Sequence, residues 1–242
     1  MYEPRTYRLW TNDRDLVSFS VVVRESDLHI SASRDLKRKA LAATQRCRAE
    51  LEAYIESHPV FATTLEPLTV AMDAPPLAKE MAEAARKAGV GPMAAVAGAI
   101  AERVGKDLMP LSDDVIVENG GDIFIKSTKE RFIGVYAGES KLTGKIAFAI
   151  RPEETPLGIC TSSGSVGHSL SFGKADAVTA VSPSTPLADA AATAIGNRVR
   201  SAEDIPGAIE FAQSIEGLSG VAIIKGDKLG IWGQIRLADL KT

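Results

Sequence analysis

The apolar periodicity of this chain passes through the same succession of changes twice. Residues 67–72 (PLTVAM) alternate like a strand, and helical spacing follows over 76–88 and 92–107, broken at Gly89-Val90-Gly91-Pro92. Two strands over 114–119 and 122–127 are then joined through Gly120-Gly121. The second passage has a strand over 176–182, helices near 186–199 and 204–215, and strands over 220–225 and 228–235 joined through Gly226-Asp227. Strand, helix, helix, hairpin therefore recurs. Chance is the plain alternative, since hairpins are common connections; the matched order and lengths favour an internal duplication of 67–127 and 176–235.

Ahead of the first copy, residues 16–23 and 27–32 read as two short strands. Leu36, Ala40, Ala43, Cys47, Leu51 and Tyr54 form the apolar stripe of a helix over 34–57. His58-Pro59 ends it, because the residue before a proline is pushed out of the helical region. Hairpins require antiparallel pairing, and helix pairs between strands must cover a sheet face. The expected class is α+β, with antiparallel or mixed sheets, helices on one face and a two-fold-like relation between the copies. Three more strands, near 131–137, 143–150 and 156–161, would extend the sheet between them. No Pro-, Gly- or Ser-rich linker separates the halves, so residues 1–242 read as a single domain.

A formal charge of -3 and a pI near 5.7 argue against a nucleic-acid surface. No stretch approaches the ~18 apolar residues of a membrane span. The start of the chain is polar and lacks a secretory apolar core, so the expected location is the cytoplasm. Two cysteines, Cys47 and Cys160, and three histidines without a CxxC pattern do not suggest zinc.

Three segments carry possible chemistry. Residues 158–173 (GICTSSGSVGHSLSFG) hold four glycines and six Ser or Thr hydroxyls after a strand. Free amides and hydroxyls there suit an anion, and a flexible surface loop is the alternative. Glu118-Asn119-Gly120-Gly121-Asp122 contains Asn-Gly, which as a bare hairpin turn says nothing of function. In the segment from Leu187 to Ala194, Asp189 and Thr193 are four apart and share one helix face. A carboxylate and a hydroxyl so placed suit a hard cation such as magnesium; a favourable helix-start charge is the competing explanation for Asp189.

The order of these segments resembles the ApbE family of flavin-handling proteins. That family carries a GGIAKGYAVD-like helix start, an N-x-GGD hairpin, a TSG segment, an HIIDPRTG segment and an ADAxATA helix. Here Gly98-Ala99-Ile100-Ala101 with Asp107, Asn119-Gly120-Gly121-Asp122, Thr161-Ser162-Ser163-Gly164 and Ala188-Asp189-Ala190 with Thr193 follow in that order, across roughly 65–200. A small ApbE-related branch in archaea and anaerobic bacteria is closer, through the run GICTSSG-x-VGHSLSFGKADAVT. The resemblance implies a duplicated α/β fold and magnesium-dependent transfer of FMN from FAD to a protein threonine. It implies metal ligation by Asp189 and Thr193. It further implies contacts from Gly98, Asn119, Gly120, Gly121, Asp122, Thr161, Ser162, Ser163, Gly164 and His168 to FAD, FMN or another phosphate-bearing nucleotide. For the closer branch it implies a link to sulfur assimilation.

Two departures argue against transfer. Glu102 stands where the family has a lysine, and His168-Ser169-Leu170-Ser171 lacks the Asp-Pro-Arg of HIIDPRTG. Three readings follow: a transferase of the ApbE type with a protein acceptor, a sulfur-relay protein carrying a persulfide on Cys160, or a flavin or nucleotide binder without catalysis. Cys160 lies beside an amide-rich loop that could lower its thiol pKa, although free cysteine is ordinarily a core residue. A serine-hydrolase reading of Ser162 or Ser163 with His168 and Asp189 fails for want of a GxSxG elbow.

Overall fold

A computed structural model describes residues 13–164 and 173–239. Strands β1 (Val17–Val23) and β2 (Ser26–Ala32) form a hairpin. Helix α1 (Lys37–Ser57) follows, burying the predicted stripe of Ala40, Ala43, Cys47, Leu51 and Tyr54, and stops at His58 before Pro59. After the short α2 (Val60–Thr63), α3 (Pro76–Ala88) ends at Gly89, whose φ of 73° is the left-handed conformation that closes many helices. A 3-10 turn over Pro92–Ala95 leads into α4 (Val96–Leu108).

Strands β3 (Val115–Asn119) and β4 (Asp122–Lys126) pair with Asn119 opposite Asp122. The turn is therefore Gly120-Gly121, both at positive φ (69° and 108°), as a two-residue hairpin loop requires. Then come β5 (Arg131–Gly134), β6 (Ile146–Ile150), β7 (Leu157–Ser162), β8 (Ala177–Ser182), α5 (Thr185–Gly196), α6 (Ile205–Ser214), β9 (Gly220–Lys225), β10 (Lys228–Gly233) and β11 (Leu237–Asp239).

Eight strands make one antiparallel sheet in the order β1-β2-β3-β4-β7-β8-β9-β10, and β11-β6-β5 make a second. Alternation along each strand sorts side chains to two faces. Val115, Val117, Val178, Ala180, Val221 and Ile223 pack with the helices. Ile116, Ile125, Ile159, Val181 and Ile224 pack with Ile133, Phe148 and Ile150 of the small sheet. The architecture is α+β: helices, large sheet, small sheet.

Three expectations are corrected. Residues 67–72 form no strand. With β2 and β4 on either side of β3, no sheet edge is left beside it, and Leu68 and Val70 rest against the helical core instead. Of the three strands placed between the copies, only β7 enters the large sheet; β5 and β6 build the separate layer that covers its other face. Finally, the hairpins of the two copies, β3–β4 within 67–127 and β9–β10 within 176–235, lie in the same order and direction along the sheet, a displacement rather than a two-fold-like relation.

Candidate functional site

Helix α5 begins with Ser184, whose side chain accepts from Leu187 N at 3.4 Å, and with Pro186 in the first turn, where a missing N–H costs nothing. Its alanine-rich body is buried almost throughout, which lets neighbouring backbones approach closely. One such approach is to Gly98 of α4. A Cβ there would lie 2.6 Å from Thr185 O and 2.9 Å from Asp189 Cβ. The bare backbone lets Gly98 N donate to Asp189 Oδ2 at 2.8 Å. Asp189 is buried, and burial pushes its carboxyl up to about 7 although the Gly98 and Ala97 amides pull it down.

A second carboxylate faces the same place. In the β4–β7 register Asp122 lies opposite Cys160. Burial raises Asp122 well above the usual carboxylate range, and the charges of Asp189 and Glu118 raise it further, while a hydrogen bond with Cys160 opposes them. Cys160 is wholly buried, and its thiol donates to Thr185 O at 3.5 Å. Burial first, then Asp122 and Asp189, push that thiol well above its ordinary value. The Ile123 amide acts in the expected lowering direction, but burial and two adjacent carboxylates outweigh it and oppose the thiolate. In these surroundings Cys160 is a neutral, enclosed thiol.

The hairpin turn is tied to both helices and strands of the site. Asn119 Nδ2 donates to Ala97 O at 3.1 Å, anchoring the turn at the start of α4. Gly121 N donates to Glu118 Oε1 at 2.9 Å, and a Cβ on Gly121 would lie 3.7 Å from Thr161 O. Thr161 and Thr179 share a hydroxyl–hydroxyl hydrogen bond of 2.9 Å. Beyond it the chain runs beside the later part of α5: Ser162 Oγ is 3.7 Å from where a Cβ of Gly196 would stand. Half-buried Ser163 and exposed Gly164 follow, and Gly164 N bonds Ala175 O at 2.9 Å. Thr193 lies one turn beyond Asp189, half-buried. His168 lies outside the described residues.

Thus Gly98, Asn119, Gly121, Asp122, Cys160, Thr161 and Asp189 come together at the junction of α4, α5, β4 and β7. Among the described residues no three His, Cys, Asp or Glu side chains form a ready metal cage, so a cation at Asp189 would draw on hydroxyls, carbonyls and solvent. A cavity of about 210 Å³ lined by Phe148, Leu157, Val181, Gln234, Ile235 and Arg236 is separate; none of the candidate residues line it.

Two site residues escaped the sequence reading, and a third changes meaning. Thr185 carries contacts from Cys160 and α4 and sits in no recognisable pattern; Glu118 lies in the hairpin segment singled out above, but its bracing of the Gly120-Gly121 turn through Gly121 N is a contact that the segment alone does not display. Glu102 puts a negative charge where the family has a lysine. In the structure it is 6 % exposed, and its Oε2 accepts from Thr185 N at 2.6 Å while Lys106 Nζ lies 2.5 Å from its Oε1. Its charge is locally paired.

Among known proteins, this chain is 42% identical over 221 residues to a UPF0280 protein of Methanocaldococcus jannaschii, covering 89% of this chain and 90% of the other. It is 42% identical to one of Methanopyrus kandleri, covering 90% and 91%. Its fold is similar to that of the flavin transferase ApbE from Vibrio cholerae, with a TM-score of 0.61 at 14% identity, over 90% of this chain and 96% of that one. The apo flavinyl transferase ApbE of Pseudomonas stutzeri gives a TM-score of 0.57 at 13% identity, over 90% and 94%. At such identities the likeness speaks for the fold alone. Among the described residues, no helix is long and apolar enough to cross a membrane. A family model described as AbpE bacteria matches residues 8–229, and the chain belongs to that family, an ApbE-like one.

Proposed function

We propose that this protein binds a flavin nucleotide together with a divalent cation at the junction of α4, α5, β4 and β7. Asp189 and Thr193 would hold the cation. The backbone of Gly120-Gly121 and the segment Thr161 to Gly164 would face the nucleotide phosphates. The observation that carries this reading is the state of Asp189, a buried carboxylate whose affinity for a proton is raised to about 7 with only backbone amides offsetting its charge. A group that holds a proton so tightly for want of a countercharge is suited to exchange it for a cation. The neighbouring Asp122 adds to that demand. A bound cation would supply positive charge to the phosphates; the protein's own part is to fix Asp189 through Gly98 N.

Similarity to proteins named flavin transferases makes a flavin nucleotide such as FAD the natural ligand to test; a threonine-bearing protein as acceptor is what the family resemblance of the sequence implies. The local pairing of Glu102 with Lys106 and Thr185 N removes the electrostatic objection to phosphate binding. The absent Asp-Pro-Arg still argues against transfer. Persulfide chemistry is not part of this reading, because a wholly buried neutral thiol is a poor nucleophile.

Calorimetric titration with FAD and with ADP, each with and without magnesium, tests the reading. Magnesium should tighten both by about tenfold or more, and Asp189→Asn should lose that gain. Equal affinities with and without magnesium would refute it. Incubation with FAD, magnesium and an acceptor domain, followed by in-gel flavin fluorescence, then separates binding from transfer; unlabelled acceptor is the expected result.

A further inference from the structure

Helices α4 and α5 exchange two carboxylate–amide hydrogen bonds one helical turn apart. Gly98 N on α4 donates to Asp189 Oδ2 on α5 at 2.8 Å. Four residues later on α4, Glu102 Oε2 accepts from Thr185 N at 2.6 Å, and Thr185 stands four residues before Asp189. Each helix therefore contributes one backbone amide and one carboxylate, at i and i+4 on the face it turns to the other. Thr185 N is in the first turn of α5, among the amides with no partner inside their own helix, so Glu102 supplies an acceptor that the helix lacks. The other Glu102 oxygen is paired with Lys106, one turn on. A buried carboxylate is tolerated only when its oxygens are satisfied, and here both are. Between the two contacts the helices touch through the bare backbone of Gly98, leaving no slack for α5 to turn or slide.

We propose that Glu102 is a positioning residue for Asp189. By holding the first amide of α5 against α4, it sets the rotation and height of α5 at which Asp189 Oδ2 meets Gly98 N and the carboxylate is presented to a cation. This rests on the proposed role of Asp189. Glu102 acts through α5 and does not touch the ligand.

The variants Glu102→Ala and Glu102→Gln separate geometry from charge, since glutamine keeps an acceptor oxygen for Thr185 N. Two measurements on each are hydrogen exchange of the Gly98 amide and affinity for Mn2+ alone. In Glu102→Ala the Gly98 amide should lose about tenfold or more of its protection, with the Leu108 amide unchanged as a control for intact α4. Mn2+ affinity should fall by about tenfold. Glu102→Gln should stay close to wild type in both. Should Glu102→Ala not fold, Glu102→Asp, with the same charge on a shorter side chain, carries the same expectation. Unchanged Gly98 protection in a folded Ala or Asp variant overturns the proposal, as does equal loss in Glu102→Gln. If the wild-type protein does not bind Mn2+, the cation role of Asp189 falls, and Gly98 exchange still decides whether Glu102 positions it.

Discussion

Asp189 holds its proton up to about pH 7 in the folded chain, against an ordinary value of 3.8. The folded state therefore binds that proton more tightly than the unfolded state does. The contribution of Asp189 to stability is fully present below about pH 4 and is lost as pH rises to 7, by up to about 4 kcal/mol. Asp122 acts in the same direction. The Tm of metal-free protein should drop by roughly 10 °C between pH 5 and pH 8. Asp189→Asn, which keeps an oxygen for Gly98 N, should flatten much of that slope and be the more stable protein at pH 8. Magnesium should recover the loss in the wild type alone. A flat Tm profile for the wild type would contradict this account. The cysteines give a second test at this scale. Cys160 is 0% exposed and Cys47 3%, and burial pushes Cys47 up to about 11. Neither should react with a thiol reagent in the native protein, and both should react in denaturant. A fast-reacting native thiol would reopen the case for sulfur chemistry.

Elements were more legible in the sequence than their neighbours in space. The α1 stripe, the Gly89 stop of α3 and the Gly120-Gly121 turn depend on local spacing and on backbone freedom, which sequence displays directly. Residues 67–72 alternate as a strand does, yet a strand forms only where an edge is free to receive it, and both sides of β3 are taken. Glu102 shows the same limit. Its charge could be read, but its partners Thr185 and Lys106 follow from how α4 meets α5. The order of the segments Gly98, Asn119–Asp122, Thr161 and Asp189 is legible in the sequence; the facing of Asp122 with Cys160 is not, because it depends on which strand meets β4. The α4–α5 crossing can be tested by Gly98→Ala. Alanine suits a helix better than glycine by up to about 1 kcal/mol. Against that, its Cβ would stand 2.6 Å from a backbone carbonyl that cannot swing aside. Net destabilisation of about 1–3 kcal/mol is expected, read from urea unfolding. Gly207→Ala, also in a helix but with open space at its Cβ, should be neutral or stabilising.

At the scale of the whole molecule, the β1–β4 and β7–β10 halves meet along β4–β7, with α4 against α5 above that seam. The small sheet lies across the other face, where β6 residues pack with Ile125 of the first half and Ile159, Val181 and Ile224 of the second. Neither half can leave without exposing both interfaces, and on that ground we propose that the described residues form one cooperative unit. Such a chain should unfold in a single step. The two halves can be watched separately. Helices α1, α3 and α4 of the first half dominate far-ultraviolet circular dichroism, while Trp232 on β10 reports on the second. In a Trp10→Phe background, where Trp232 is the only tryptophan, both signals should trace one urea transition with a common midpoint. Because Asp189 sits at the seam, magnesium with ADP should shift both signals together. Separate midpoints, or a shift confined to one signal, would show two folding units and a ligand site belonging to only one of them.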